Sequence, residues 1–482
     1  MKFKIIFIKG FRTATLFVIC LLASIHSSDA QDGHYWNRNY GSTSTILGGA
    51  VIGANADLGS IYYNPAALAF RDSIKVSLSS SLHDLDFLTI RNGLADGYNT
   101  SSMTFESYPF TIIPSFKLSE KTNLGLVFLT RLSGLFEIHH LDTGNYDLLN
   151  NGNLCKFNAV FDYRNELSER WYGGSLSHMV NTNGSFGVGF YVGYRSHTIA
   201  NSYTANGVVP QLGNDTANNY VATYISRFVH YYHYKAIIKV GYYHQSARLS
   251  FGITATLPCI PLYGSGRSSA RYFFRYLPDS STTGKPNDVL VFDEQDDIKA
   301  VNKYPATIGA GMTLNAGDWK LYASAEYFFG IRPYDVMMPQ STASVLPAEW
   351  IKLSSEQVIG VRTSAKAVLN AGIGFSYHLK RNKNILGSIT TDFNSLPADK
   401  HFIGNSISAN SWNTYHFSLG TRFKFWKIDV LTGLRYSTGH SKNQPQLVDM
   451  RSPTNDNLLL GNRDNNMEQV YRSLSLLLGF NF

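Results

Sequence analysis

The chain has 482 residues, 14% aromatic and 16% charged, with a formal charge of +8, of which the first thirty residues carry +3. What remains is small for the length and nowhere gathers into a basic stripe, which excludes a nucleic-acid partner. Beyond residue 30 no apolar run is long enough for a membrane helix, so a membrane role for this chain would have to be played by strands.

Lys2, Lys4, Lys9 and Arg12 lead into the apolar stretch from Ala14 to Ala23 and then to Ser28, Asp29 and Ala30. That order predicts a secretory signal peptide over residues 1–30, cleaved near Ala30. Cys20 follows Phe-Val-Ile rather than the small residues of a lipoprotein site, so it belongs to the leader and implies no lipid anchor.

Residues 31–72 alternate too little to be strands. Within them Asp57 to Phe70 reads DLGSIYYNPAALAF, approached through the Gly-rich run from Gly48 to Gly59. Asn64 before Pro65 and Ala66 predicts a helix start, because the Asn side chain accepts from a first-turn N–H and Pro lacks the N–H that would be unpaired anyway. Such a knob between a leader and an array of strands predicts a hatch packed inside something.

From residue 73 onward the dominant signal is period two. Leu249, Phe251, Ile253, Ala255 and Leu257 alternate with Ser250, Gly252, Thr254 and Thr256; Phe186, Val188, Phe190 and Val192 alternate with Gly187, Gly189 and Gly193. Tyr415, Phe417, Leu419, Phe423 and Phe425 do the same against His416, Ser418, Gly420, Arg422 and Lys424. Fourteen such segments centre near residues 79, 111, 130, 174, 191, 238, 252, 309, 324, 373, 390, 419, 434 and 476. Tight turns near Ser119, Asn181, Gln245, Ala316, Arg381 and Trp426 alternate with longer links. The fold class is therefore all-β: a transmembrane antiparallel barrel of about fourteen strands over residues 73–482, with greasy positions toward lipid and a hatch over 31–72 inside the lumen. Trp319, Phe425, Trp426, Phe480 and Phe482 are expected at the turn-side rim, and Trp171, Tyr172, Trp412 and Tyr415 at the loop-side rim, as two aromatic girdles. The last strand sets Leu474, Leu476, Leu478, Phe480 and Phe482 against Ser473, Ser475, Gly479 and Asn481.

The Asn-Pro-Ala turn at Asn64 to Ala66, its Gly/Ala-rich approach and the strand that follows resemble the N-terminal hatch of the FadL/TodX family of outer-membrane long-chain fatty acid and hydrophobic-compound transporters. The final alternating strand ending on Phe480 and Phe482 resembles the signal read by the outer-membrane assembly machinery. The resemblance implies a monomeric outer-membrane channel for passive uptake of hydrophobic or amphipathic small molecules, with no cofactor. It also implies sideways exit where the third strand bends; Ser133 and Gly134 are the residues of this chain placed to bend it. Some relatives serve protein secretion as accessory barrels that bind cargo through extracellular loops, which is the alternative function. A barrel-embedded lipid-modifying enzyme is a third reading.

Arg195, Lys239, Glu326, Arg422 and Arg435 fall on the polar faces of their segments. A lumen cation can hold a ligand carboxylate, Arg435 foremost because it is mid-strand, or can pair with another lumen charge or a hatch acid such as Asp57. The loop from Cys259 to Asn302 carries Arg267, Arg271 and Arg275 among Tyr272, Phe273, Phe274 and Tyr276, suited to amphipathic anions or lipid phosphates, and the acid run Asp293, Glu294, Asp296 and Asp297. That run lacks Gly-punctuated metal-ligand spacing, so no metal is expected. Cys155 and Cys259 fall in expected loops, where an exported setting permits a disulfide and the sequence leaves it open. His83 with Asp84 and Asp86, and His139 with His140, come without a nucleophile at diagnostic spacing, so no enzyme is expected.

Overall fold

A strand whose alternate residues are apolar has one greasy face, and a closed sheet is the arrangement that turns that face outward while pairing every backbone edge. The computed structural model describes residues 33–71, 76–106, 111–209, 219–276, 288–340, 344–346, 353–379, 383–396, 412–464 and 466–482. In chain order its strands begin with β1 (Val76–Arg91), β2 (Asn99–Glu106), β3 (Thr111–Ser119), β4 (Thr122–Tyr146), β5 (Cys155–Met179), β6 (Gly184–Val209) and β7 (Asn219–His244). There follow β8 (Leu249–Thr256), β9 (Ile260–Arg275), β10 (Asp288–Lys299), β11 (Thr307–Ala316), β12 (Trp319–Phe328), β13 (Ile331–Met337) and β14 (Ser344–Leu346). The last are β15 (Val361–Ala365), β16 (Val368–Leu379), β17 (Lys383–Asp392), β18 (Asn413–Phe425), β19 (Ile428–Gln444) and β20 (Met467–Asn481).

The wall runs β1, β3, β4, β5, β6, β7, β8, β11, β12, β16, β17, β18, β19, β20 and back to β1, with every pair antiparallel. These are fourteen positions, with β2 continuing the second above β3 on the flank of β1. The short connections at 120–121, 180–183, 245–248, 317–318 and 426–427 share the end at which Ser77 meets Asn481. The sixth expected turn, at Arg381, lies outside the described residues. Facing follows parity: Leu249, Phe251, Ile253 and Leu257 are 39–51% exposed, whereas Ser250, Thr254 and Thr256 are at most 5% exposed.

Trp319, Phe425, Trp426 and Phe482 are exposed at the turn end, and Tyr172 and Tyr415 face outward. Trp171 and Trp412 depart from the expected girdle. Both are buried; Trp171 shares the inward parity of Glu169 and packs on Tyr62 and Tyr191, and Trp412 stacks on Tyr471 at 5.1 Å.

Strands β4 to β7 have 25 or 26 residues, against eight to ten for β8, β11, β12 and β17. About ten residues cross an apolar layer, so the remainder stands roughly 35 Å above it. The expected loop after Cys259 is not a loop: β9 takes over from β8 as the partner of β7, and β10 pairs β9 on one side and β14 on the other. Its arginines are spent on its acids across the hairpin: Arg267 meets Glu294 and Asp296, Arg271 meets Glu294, and Arg275 meets Asp288. Cys155, also expected in a loop, opens β5, and both it and Cys259 are free thiols. The inward faces of the tall strands meet Val448, Met450 and Leu458 to Leu460 in one apolar core. Backbone bonds from Met450 to Leu94 and from Asn455 to Leu148, with Tyr203 donating to the Leu459 carbonyl, fix that cap.

Residues 33–71 pack against lumen-facing side chains around the circuit. They form α1 (Ser42–Ile46), α2 (Ser60–Tyr63) and a 3-10 turn over Pro65–Phe70, all but entirely buried. The wall meets them with glycines. A Cβ at Gly187 would lie 2.4 Å from the Ala66 nitrogen, at Gly252 2.2 Å from the Ile52 oxygen, at Gly311 2.6 Å from the Gly53 nitrogen and at Gly479 2.6 Å from the Ser42 Cβ. Glycine on the polar parity of these strands is thus the condition for close backbone approach.

Gly187→Ala is expected to lower stability by about 1–3 kcal/mol through overpacking, read as a lower thermal midpoint. Gly134→Ala should leave the midpoint unchanged, since a Cβ there meets nothing within 4 Å; equal effects of the two would contradict the fit described.

Candidate functional site

The first anchor is local. Asn64 Oδ1 accepts from the Ala66 N–H at 3.1 Å while its Nδ2 donates to the Ile52 and Tyr242 carbonyls at 3.0 Å, so one side chain caps the turn, ties the segment to itself and ties it to β7. Pro65 takes the first position of the turn, with Ala66 buried after it. Asp57, considered as a partner for lumen cations, accepts instead from the Ser44 and Gly59 N–H groups at 2.8 Å and from the Ser44 hydroxyl at 2.6 Å. It orders α1 because a buried carboxylate needs donors, and the Ser44 hydroxyl and two backbone N–H groups supply them.

The five expected lumen charges all have protein partners, and three of them hold the segment. Arg435 donates to the Asn37 carbonyl at 3.1 Å and to Ser475 at 3.3 Å. Lys239 donates to the Tyr62 carbonyl at 2.9 Å and lies 3.9 Å from Glu326, which accepts from Trp36 Nε1 at 3.0 Å and from Thr307 at 2.7 Å. Arg195 pairs with Glu169 at 3.1 Å, and Arg422, near the turn end, with Asp429 at 2.7 Å. A further anchor went unread in the sequence: buried Asp392 accepts from the Tyr35 and Trp36 N–H groups at 3.0 Å and from Asn370 at 3.1 Å, and sits 3.3 Å from His34.

The chief charge cluster also surpasses the sequence reading. Around Glu169 stand Arg131 at 3.5 Å, Arg195 at 3.1 Å and Lys235 at 3.1 Å, with Trp171 Nε1 donating at 2.8 Å. Glu169 faces Arg195 across β5 and β6, and Lys235 lies on the neighbouring strand opposite Gly193, so plain parity on these long strands could have found these three. Arg131 shares the inward parity of Asn123, Gly125, Val127 and Leu129, but apolar Val127 and Leu129 blur the alternation there. The register slips between Thr130 and Leu132, and the extra residue turns the positions beyond Arg131, beginning with Leu132, inward on the other parity. Ser133 and Gly134, expected to carry the irregularity, run in regular register opposite Ser168 and Leu167; the bulge has already been absorbed at Arg131.

Directly above this cluster is a cavity of about 120 Å³ lined by Leu88, Leu132, Phe136, Leu167 and Trp412 together with His34, Asp86, Asn165 and His197. Its wall includes Ser133, Gly134 and Leu135 of β4 and Ser102 and Thr104 of β2. Arg38 of the N-terminal segment donates to the Ser133 carbonyl at 3.0 Å and lies 3.8 Å from Asp84 of β1, so the segment touches both strands beside the cavity. Of the histidines weighed for catalysis, His139 is exposed and paired with Asp162, His140 packs on the Tyr98 ring, and the side chain of His83 lies outside the described residues.

No family model and no curated protein matches this sequence. Solved structures do. A Pseudomonas aeruginosa FadL homologue is similar over 95% of this chain and 99% of its own, with a TM-score of 0.51 at 14% identity. The Pseudomonas putida toluene transporter TodX is similar over 92% and 99%, with a TM-score of 0.54 at 14% identity. The Ralstonia pickettii toluene transporter TbuX is similar over 92% and 99%, with a TM-score of 0.50 at 11% identity. At these identities the likeness is one of fold, and the fold of this chain is the FadL/TodX-type barrel.

Asn64→Asp replaces a double donor by an acceptor facing the Ile52 and Tyr242 carbonyls, and is expected to cost about 2–4 kcal/mol. Limited proteolysis should then cut within residues 33–71 while the barrel stays resistant; an uncut segment would show that the anchor is dispensable.

Proposed function

We propose that this protein is a monomeric outer-membrane channel through which hydrophobic or amphipathic small molecules, such as long-chain fatty acids, diffuse passively, with residues 33–71 as its hatch. The observation that carries the reading is the pairing of an apolar-faced closed barrel with a lumen occupied by its own N-terminal residues, beside which a small mixed-polarity cavity is left. A fourteen-stranded barrel emptied of that segment would be a water path. A filled one favours solutes that can leave water, and no energy source or cofactor is needed for downhill movement. The likeness of fold to a FadL homologue and to toluene transporters supports the same reading.

The cavity's position against β4 and β2 favours release sideways at the outer edge of the membrane, past Ser133 to Leu135. The alternating last strand, with Phe480 half-buried and Phe482 exposed, suits recognition by the assembly machinery. The tall outer faces of β4 to β7 favour a second reading, an accessory barrel that binds secreted cargo above the membrane.

Liposomes containing the protein are expected to take up a fluorescent fatty acid faster than protein-free liposomes while excluding a small hydrophilic dye; deletion of residues 33–71 should admit the dye. Uptake no faster than in protein-free liposomes would overturn the channel reading, and co-purified secreted protein would favour the second.

A further inference from the structure

On the outside of the barrel, where β18, β19, β20, β1 and β2 lie side by side, strand register sets the outward side chains in rows. The row through Leu474 holds Phe105, Leu85, Tyr436 and Phe417 and is apolar or aromatic throughout. The next row away from the turn end holds Met103, Phe87, Thr438 and Tyr415, with Arg472 at its centre. Arg472 is exposed, and among the described residues no carboxylate or hydrogen-bond acceptor meets its side chain. A guanidinium set into the edge of an apolar belt needs a partner at the level of the lipid head groups. Two rows further out, Glu468 of β20 has Arg91 of β1 at 3.7 Å and Lys442 and His440 of β19 at 3.8 and 3.6 Å. All three distances exceed a hydrogen bond, and the three basic side chains are 44–60% exposed. Among the described outward residues of these strands beyond Leu474, Glu468 is the one carboxylate. Arg91, Lys442 and Arg472 therefore stand as three fixed cations against one acid, a net of +2. An ion-pair staple across β19, β20 and β1 accounts for Glu468 and its neighbours and leaves Arg472 unexplained.

We propose that Arg472, His440, Lys442 and Arg91 form an outward-facing site for the phosphate head of a membrane lipid, whose acyl chains lie along the apolar rows beneath. The anion belongs to a lipid rather than to solution because the site opens directly over the greasy face of the wall. Below Leu474 the next row is Leu476, Leu434 and Leu419, and Leu474, Tyr436, Phe417 and Phe105 are all exposed. The reach is right for one head group. Arg472 and Glu468 are four residues apart on β20, roughly 13 Å, a gap that Arg472 closes from below and Arg91 and Lys442 close from above. His440, opposite Val470, stands in the row between them. A phosphate monoester matches the excess charge and presents oxygens to the guanidinium forks. Glu468 gathers Arg91, His440 and Lys442 on one side of the site, and as a single carboxylate it leaves charge over for the lipid. The inference depends on the lipid-facing belt and is independent of what passes through the lumen.

The test is native mass spectrometry of the full-length folded barrel, released from a nonionic detergent after addition of dioleoyl phosphatidic acid, dioleoyl phosphatidylcholine or inorganic phosphate, with folding checked by heat-modified gel mobility. Phosphatidic acid is expected to bind about tenfold or more tightly than phosphatidylcholine, which has the same chains, and inorganic phosphate should not displace it. Arg472→Gln and, independently, Lys442→Gln should each weaken phosphatidic acid binding about fivefold and leave phosphatidylcholine unchanged. Glu468→Gln should tighten phosphatidic acid binding several-fold. The control is Arg170→Gln, which removes an exposed outward cation of β5 beside Tyr172, on another part of the wall, and should change nothing. Equal binding of the two lipids, displacement by inorganic phosphate, or unchanged binding in Arg472→Gln overturns the proposal. So does a loss in Arg170→Gln as large as in Arg472→Gln, which would mark a general attraction of rim charge, or unchanged or weaker binding in a folded Glu468→Gln variant, which a mere staple predicts. Liposome uptake of the fluorescent fatty acid by the unsubstituted protein reports on the channel reading alone, so the two failures are distinguishable.

Discussion

Two backbones can run within van der Waals contact only where one of them has no side chain in the way. Along the turn-end half of this barrel, Gly187, Gly252, Gly311 and Gly479 stand on the inward parity of strands from different parts of the circuit, and each would drive a Cβ into residues 42–66. The N-terminal segment is therefore seated by the absence of side chains on the wall as much as by the presence of its own. Hydrogen bonds complete the seating: Asn64 to the Tyr242 carbonyl, Ser388 to the Ile46 carbonyl and Thr313 to the Gly53 carbonyl join the same surfaces.

Charge in this lumen gathers at two places. Asp392, Arg435, Lys239 and Glu326 are each tied to residues 34–62 and serve to hold the segment. The cluster at Glu169 touches the segment through the Tyr35 ring beside Arg131 and gathers three cations about one carboxylate.

Beyond the outward-facing apolar belt the wall is lopsided. The long β4 to β7, extended by β9 and β10, lean on a cap built from residues 448–460, so a second apolar core sits above that belt. The cap is held by backbone donors and acceptors on several sides, and the hairpin charges pair among themselves at exposed positions, where such pairs contribute little.

The barrel was legible because period two is a local property: the Leu249 to Leu257 alternation sets facing one residue at a time, and short turns mark one end without knowledge of the partner strand. The Asn64 cap was legible for the same reason, since its acceptor and first donor are two residues apart. Which charges face one another was not local. Arg131 went unread because apolar Val127 and Leu129 on its own parity blur the alternation of β4, Trp171 leaves the expected girdle because it shares the inward parity of Glu169, and Arg267 is answered by Glu294 through a hairpin that composition disguises as a loop. A sequence records the parity of each strand; register, bulge and strand length arise when neighbouring strands compete for the same hydrogen bonds, and so only the closed sheet decides which side chains meet.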